Sequence, residues 1–112
     1  MIKTLNIFGS TGIIGTKCLK IIKDYFPEIK INLLVANNNY KKLAKQNKIY
    51  KPKYICLINK NKQKKLEKYL NTSKVKILIK DELSDFLKLT KSDLTILSIS
   101  GYASLNYIHS II

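Results

Sequence analysis

Not one of the 21 basic residues in this 112-residue chain is arginine. Arginine is the side chain best suited to bidentate recognition of phosphate and guanine. Its absence argues against a dedicated nucleic-acid surface, despite a formal charge of +14 and a pI near 9.8. The lysines are scattered over several segments, and lysine, asparagine and isoleucine are used heavily throughout. Solvated helix faces explain that scatter better than one basic stripe. Long apolar runs are missing too: lysines interrupt each one well short of the roughly 20 residues a membrane-spanning helix needs. Residues 1–8 hold one lysine, with neither a long apolar stretch nor a small-residue cleavage site, so no secretory signal and a cytoplasmic location are expected. Cysteine is scarce. Cys18 and Cys56 stand far apart, each inside an apolar run, and read as buried free thiols, since a metal site wants closer pairs. Seven carboxylates and a single histidine complete the deficits. The acids lie on distant elements, so no acid pair or metal cluster is expected, and His109 reads as a surface or capping residue. No catalytic residue and no metal ligand is assigned to this chain.

What is present is ordinary globular composition, 46% hydrophobic and 25% charged. The length suits one domain with one real core. Apolar strand-like runs recur at Lys3–Phe8, Ile29–Ala36, Lys53–Ile58, Val75–Ile79 and Leu94–Ile99, with no linker, repeat or low-complexity tract between them. Runs that are apolar at nearly every position suit strands covered on both faces, and the spacing leaves room for a crossover helix between each pair. After Gly12, residues Ile14, Cys18, Ile21, Ile22 and Tyr25 recur at helical spacing, which predicts an amphipathic helix with those residues inward and an end at Pro27. Tyr40–Ile49 (Leu43 and Ala44 inward), Asn61–Leu70 (Leu66, Tyr69, Leu70), Asp81–Leu89 (Leu83, Phe86, Leu87) and Ser104–Ile112 (Leu105, Ile108, Ile112) are the other predicted helices. Alternating strand and helix predicts a Rossmann-like, doubly wound parallel sheet with right-handed crossovers.

The most informative residues are Gly9-Ser10-Thr11-Gly12-Ile13-Ile14-Gly15, placed directly after the first predicted strand and opening the first helix. A glycine turn there lets backbone amides approach a phosphate, and the helix N-terminus adds partial positive charge. Ser10 and Thr11 add hydroxyls suited to a diphosphate. A glycine turn also serves plain tight packing; the strand–turn–helix context favours nucleotide binding. At the end of the second strand, where NAD-binding folds place an acid for the ribose 2′-hydroxyl, stand Asn37, Asn38 and Asn39, followed by Lys41 and Lys42. Cations without a carboxylate favour a 2′-phosphate, hence NADP over NAD. The same asparagines suit a polar turn capping the next helix, and the two roles are compatible. Ser100-Gly101-Tyr102 follows the fifth strand and would share the carboxyl edge, with Gly101 letting the backbone pass near a cofactor, or would form a plain strand-to-helix turn.

Together with Leu34-Val35-Ala36, Pro52-Lys53-Tyr54 and Ile99-Ser100-Gly101-Tyr102-Ala103-Ser104-Leu105, the glycine phrase resembles the N-terminal part of 1-deoxy-D-xylulose 5-phosphate reductoisomerase, from about residue 3 to the last residue. The resemblance implies that residues 1–112 are an NADPH-binding domain. The family is homodimeric and makes 2-C-methyl-D-erythritol 4-phosphate for isoprenoids, using NADPH and a divalent metal, magnesium or manganese. It places the cofactor contacts on Thr11, Gly12, Ile13, Ile14, Asn37, Asn38 and Asn39; the residue reading adds Gly9, Ser10 and Gly101. Family members usually carry serine where Ile13 stands, and Gly-basic-Asn where Asn37-Asn38-Asn39 stands. The family's metal-binding acids, phosphate-binding residues and loop histidine fall beyond the matched segment. The expectation is a fragment, split gene product or decayed copy, inactive alone, its last helix cut short; in the split case the partner is a separately encoded catalytic portion. The alternative is a basic Rossmann-like module that binds nucleic acid or a protein partner without redox chemistry.

Overall fold

In the computed structural model, which describes residues 3–70, 74–90 and 92–98, strands and helices alternate throughout. They are β1 (Thr4–Phe8), α1 (Ile13–Tyr25), β2 (Lys30–Ala36), α2 (Tyr40–Tyr50), β3 (Tyr54–Leu57), a 3-10 turn (Lys60–Lys62), α3 (Gln63–Leu70), β4 (Lys76–Leu78), α4 (Lys80–Leu89) and β5 (Leu94–Leu97). Every strand pair is parallel, in the order β4-β3-β2-β1-β5. The predicted elements that fall on the described residues are all found, with ends that differ by no more than a residue or two; α2 and α4 are each one residue longer than predicted. The expected helix Ser104–Ile112 lies outside the described residues.

The steps from β1 to β4 run in one direction along the sheet, and the step to β5 runs back past β1. A right-handed crossover then puts the helix of the returning step on the opposite face. That is the arrangement found. Leu19, Leu43, Ala44, Leu66 and Leu70 from α1, α2 and α3 pack on Leu5, Ile7, Leu34, Ala36, Ile55 and Leu57. Leu83 and Leu87 of α4 pack on Phe8, Leu33, Val35, Cys56 and Leu78 on the other side. Alternate strand residues therefore enter two different cores, which is why the strands show no polar alternation. The expected doubly wound sheet is present. No helix among the described residues is long and apolar enough to cross a membrane.

Both cysteines are free, Cys18 half-buried and Cys56 buried. Burial, reinforced by the charge of Glu82, pushes the Cys56 thiol up to about 12. The strands hold one buried polar exception. The register of β1 against β2 slips between Leu5 and Asn6, so Asn6 faces Leu33 instead of Asn32. Asn32 Nδ2 donates to Asn6 Oδ1 at 3.0 Å and Ser92 Oγ donates to the same oxygen at 2.8 Å. A buried amide is tolerated when it is bonded in this way.

The predicted inward face of α1 needs correction. Ile14, Ile21 and Tyr25 are exposed, while Gly15 and Leu19 are buried and Cys18 and Ile22 half-buried. The helix is rotated so that Gly15, which lacks a Cβ, faces the preceding turn, and residues three, four and seven positions on follow it inward. Ile21 and Phe26 instead line an apolar groove of about 300 Å³ with Leu94 and Ile96 of β5. Tyr69 is likewise not inward: it is half-exposed and its ring lies 5.6 Å from that of Tyr40. Helix α2 ends with Lys51 in the left-handed conformation, φ 48°, directly before Pro52.

Candidate functional site

At the carboxyl end of β1, the chain turns sharply through Gly9, whose φ of 82° lies in the region that glycine enters without strain. The turn folds onto the end of β2. The amides of Gly9 and Ser10 both donate to the Val35 carbonyl, at 2.7 and 3.1 Å, and the Gly12 amide donates to Gly9 O at 3.1 Å. Gly15 completes the motif from one turn into α1. A Cβ there would overlap the Gly9 carbonyl oxygen and stand 2.8 Å from Ser10 Cα. The third glycine thus lets the helix rest directly on the turn.

The first bond back into α1 runs from the Thr16 amide to Gly12 O, at 2.9 Å. The amides of Ile13, Ile14 and Gly15 precede it and have no carbonyl one turn back to take them. Gly12, Ile13 and Ile14 are all exposed at this end, Ile13 by 78%, and the first turn of α1 has no acidic residue. An amide-rich, acid-free helix start at a sheet's switch point is suited to an anion. The two predicted hydroxyls differ. Thr11 is half-buried, whereas Ser10 is wholly buried and its Oγ is not presented at the surface.

The second loop lies beside the first on the carboxyl edge, as expected. Asn37, Asn38 and Asn39 are exposed. Asn39 Oδ1 accepts from the Lys42 amide at 3.1 Å and so caps α2. Asn38 Oδ1 accepts from Asn59 Nδ2 at 2.7 Å, and Asn37 O accepts from the Asn59 amide at 2.9 Å. Lys41 is exposed in the first turn of α2, with Lys42 half-buried next to it.

Three residues that sequence reasoning passed over hold these loops. Asn59 follows β3 on the same edge and braces the asparagine loop, a position the strand pattern could have flagged. Ser98 follows β5; its Oγ donates to Phe8 O at 2.6 Å and its amide donates to the same oxygen at 2.9 Å. Gln46 of α2 donates from Nε2 to Ser10 O at 2.7 Å. Ser98 brings the end of β5 to the glycine turn; Gly101, with Ser100 and Tyr102, lies outside the described residues.

The carboxylates do not all keep to the far edge of the sheet. Asp24, Glu28 and Asp93 do: Asp93 accepts from the Lys3 and Thr4 amides at 2.8 and 3.2 Å, at the start of β1. Asp81 and Glu82 do not, because they open α4 just after β4 and so stand on the carboxyl side. Both are engaged. Asp81 pairs with Lys60 at 2.7 Å, and that hydrogen bond and charge hold its carboxyl below the usual range. Glu82 Oε1 accepts from the Ile79 amide at 3.1 Å. They follow β4, three strands from β1, or about 14 Å at the usual strand spacing. Among the described residues, no three of His, Cys, Asp and Glu gather as a metal site. At the opposite edge, Lys48, Lys51, Lys53 and Lys74 line an open cleft of about 560 Å³.

Comparison with known proteins fits this geometry. A family model described as 1-deoxy-D-xylulose 5-phosphate reductoisomerase matches residues 5–112. The chain is 41% identical over 105 residues to the 1-deoxy-D-xylulose 5-phosphate reductoisomerase of Pelagibacter ubique, covering 92% of this chain and 27% of that protein. It is 34% identical over 114 residues to the protein of the same name from Wigglesworthia glossinidia brevipalpis, covering 98% of this chain and 29% of that one. Among solved structures, the reductoisomerase of Zymomonas mobilis in complex with NADPH superposes with a TM-score of 0.88 at 26% identity, over 99% of this chain and 29% of that one. A reductoisomerase in complex with magnesium shares the fold, with a TM-score of 0.87 at 24% identity. The chain spans under a third of the length of these relatives. The match across nearly every described element, glycine turn included, bears out the resemblance read from the sequence: the chain belongs to the 1-deoxy-D-xylulose 5-phosphate reductoisomerase family.

Proposed function

We propose that residues 1–112 are the NADPH-binding domain of a 1-deoxy-D-xylulose 5-phosphate reductoisomerase, which rearranges and reduces its substrate to 2-C-methyl-D-erythritol 4-phosphate. The observation that carries the reading is the seat of Gly15 on the Gly9 carbonyl, which brings the start of α1 onto the turn. That cradle fits a dinucleotide diphosphate. The relative from Zymomonas mobilis, solved with NADPH, supports the same assignment.

In this reading Gly9, Ser10, Thr11, Gly12, Ile13 and Ile14 form the diphosphate side. The amides of Thr11, Ile13 and Ile14 do the binding, while those of Gly9, Ser10 and Gly12 shape the turn by donating to Val35 O and Gly9 O, and the exposed Ile13 and Ile14 side chains gain apolar cover from the ligand. Asn37, Asn38 and Asn39 line the ribose, with Lys41 and Lys42 facing a 2′-phosphate, and Gly101 keeps the cofactor-binding role read from the sequence. NADPH, when bound, supplies a hydride. The chain's own work is to hold and orient it.

The divalent metal, magnesium or manganese, has no gathered ligands among the described residues. We assign its binding to other residues of a longer protein or of a separately encoded catalytic portion. A cytoplasmic homodimer is the assembly this reading entails. Titration calorimetry on the 112-residue chain tests the assignment: NADPH binds, and binds more tightly than NADH. Equal affinity for the two removes the 2′-phosphate argument, and no heat with either removes the dinucleotide site.

A further inference from the structure

We infer that Gln46 is the positioning residue of the glycine turn, holding the Ser10–Thr11 peptide so that the Thr11 amide is presented outward to the diphosphate of a dinucleotide. The inference rests on the dinucleotide reading above. Gln46 lies two turns into α2, 4% exposed, on the face that also buries Leu43 and Ala44. Its Nε2 stands 2.7 Å from the carbonyl oxygen of Ser10. A carbonyl oxygen only accepts, so the amide nitrogen is the partner chemistry requires. Thr16 Oγ1, from α1, donates to the same oxygen at 3.3 Å.

Two helices therefore grip one carbonyl and turn it inward. A peptide unit is planar and trans, so its C=O and the following N–H point to opposite sides. Holding Ser10 O inward sends the Thr11 N–H the other way, to the side where Gly12, Ile13 and Ile14 are exposed. Were the peptide to flip, it would present a carbonyl oxygen to the anion and withdraw a donor.

The arrangement is kept at a cost. Ser10 Oγ and Gln46 Oε1 are buried with no hydrogen-bond partner among the described residues. A buried unpaired polar atom is unfavourable by itself, and an apolar side chain of the same shape would avoid that cost at position 46. What the amide adds is its grip on Ser10. Because α2 also carries Asn39 at its cap and Lys41 in its first turn, the same bond ties both ends of the proposed cofactor site to one rigid element.

The test compares the wild-type chain with Gln46→Met, which keeps length and volume and removes the donor. NADPH and NADH affinities are measured by calorimetry, and the Thr11 amide is followed by NMR hydrogen exchange without nucleotide. The expected result is a loss of about tenfold in affinity for both nucleotides alike, as for loss of one hydrogen bond to a charged group, with a shifted, slower-exchanging Thr11 amide, since a flipped peptide turns that N–H inward. Thr16→Val, which removes the weaker bond to the same oxygen, should give a smaller change in the same sense; it carries the test if Gln46→Met does not fold. A lower melting temperature with unchanged affinity and an unchanged Thr11 amide overturns the inference, since that is what a purely structural glutamine gives. If the wild type binds neither nucleotide, the dinucleotide reading fails, while the Thr11 amide still reports whether Gln46 orients the turn.

Discussion

Gly15 sits against the backbone of Gly9 so closely that any side chain on it would overlap the Gly9 carbonyl oxygen. Neither partner has room to yield, because the Gly9 amide is bonded to Val35 O at 2.7 Å. Gly15→Ala should therefore destabilise the chain by about 1–3 kcal/mol, the usual range for overpacking. Gly12→Ala should cost far less, since a Cβ there meets its nearest neighbour, the Gly9 carbonyl oxygen, at 3.4 Å and Gly12 has an ordinary φ of −75°. Urea unfolding of the two variants measures both. Equal losses would show that the turn, and not the contact, governs stability.

Gly12→Asp separates folding from binding. Aspartate is a favoured N-cap and interacts well with a helix start, so the melting temperature should hold or rise slightly. A carboxylate at the same place repels a diphosphate, and NADPH affinity should be lost. Calorimetry beside a thermal melt decides it; retained binding would move the diphosphate away from α1.

The cofactor preference should reside in the first turn of α2. Lys41 is exposed there, next to the asparagine cap. Lys41→Glu replaces attraction for a 2′-phosphate with repulsion and should cut the NADPH-to-NADH affinity ratio by about tenfold, on the scale of one charge-assisted contact. NADH affinity itself should stay put. An unchanged ratio would leave Lys42 or a more distant cation as the determinant.

Asp93 makes the chain sensitive to acid. It accepts from the amides of Lys3 and Thr4, and these hydrogen bonds hold its carboxyl below the usual range. A folded-state pKa below the unfolded one means stability present above the ordinary carboxylate range and lost as pH falls through the lowered value. Asp93→Asn, which has no charge to lose, should show a flatter stability profile across that acidic interval. Asp81 titrates in the same direction in both proteins, so the difference isolates Asp93. Parallel profiles would show that the contact at the start of β1 does not govern acid stability.

Several features were legible in the residues because they depend on near neighbours. A glycine needed at positive φ, an asparagine capping the helix that starts one residue later, and a proline after a helix end are local demands. Gly9, Asn39 and Pro27 meet them where the sequence pattern put them. Strand existence was also legible, since runs buried on both faces must be apolar almost throughout. The face of α1 was not. Counting apolar positions favoured Ile14, Ile21 and Tyr25, but the helix turns on Gly15, and only its seat on the Gly9 carbonyl shows which way.

The sequence by itself determined the order of strands and helices, the parallel two-faced sheet and the glycine turn at the head of α1, because hydrophobic period and glycine chemistry act over a few residues. The tertiary structure alone decided what grips that turn. Gln46 reaches Ser10 across 36 positions and Ser98 reaches Phe8 across 90. Asn6 finds Asn32 and Ser92 across a slipped register. Such polar side chains carry no periodic signal. Their partners come within reach only when crossovers stack α2 beside the turn and return β5 to the side of β1, since a hydrogen bond requires about 3 Å whatever the separation along the chain.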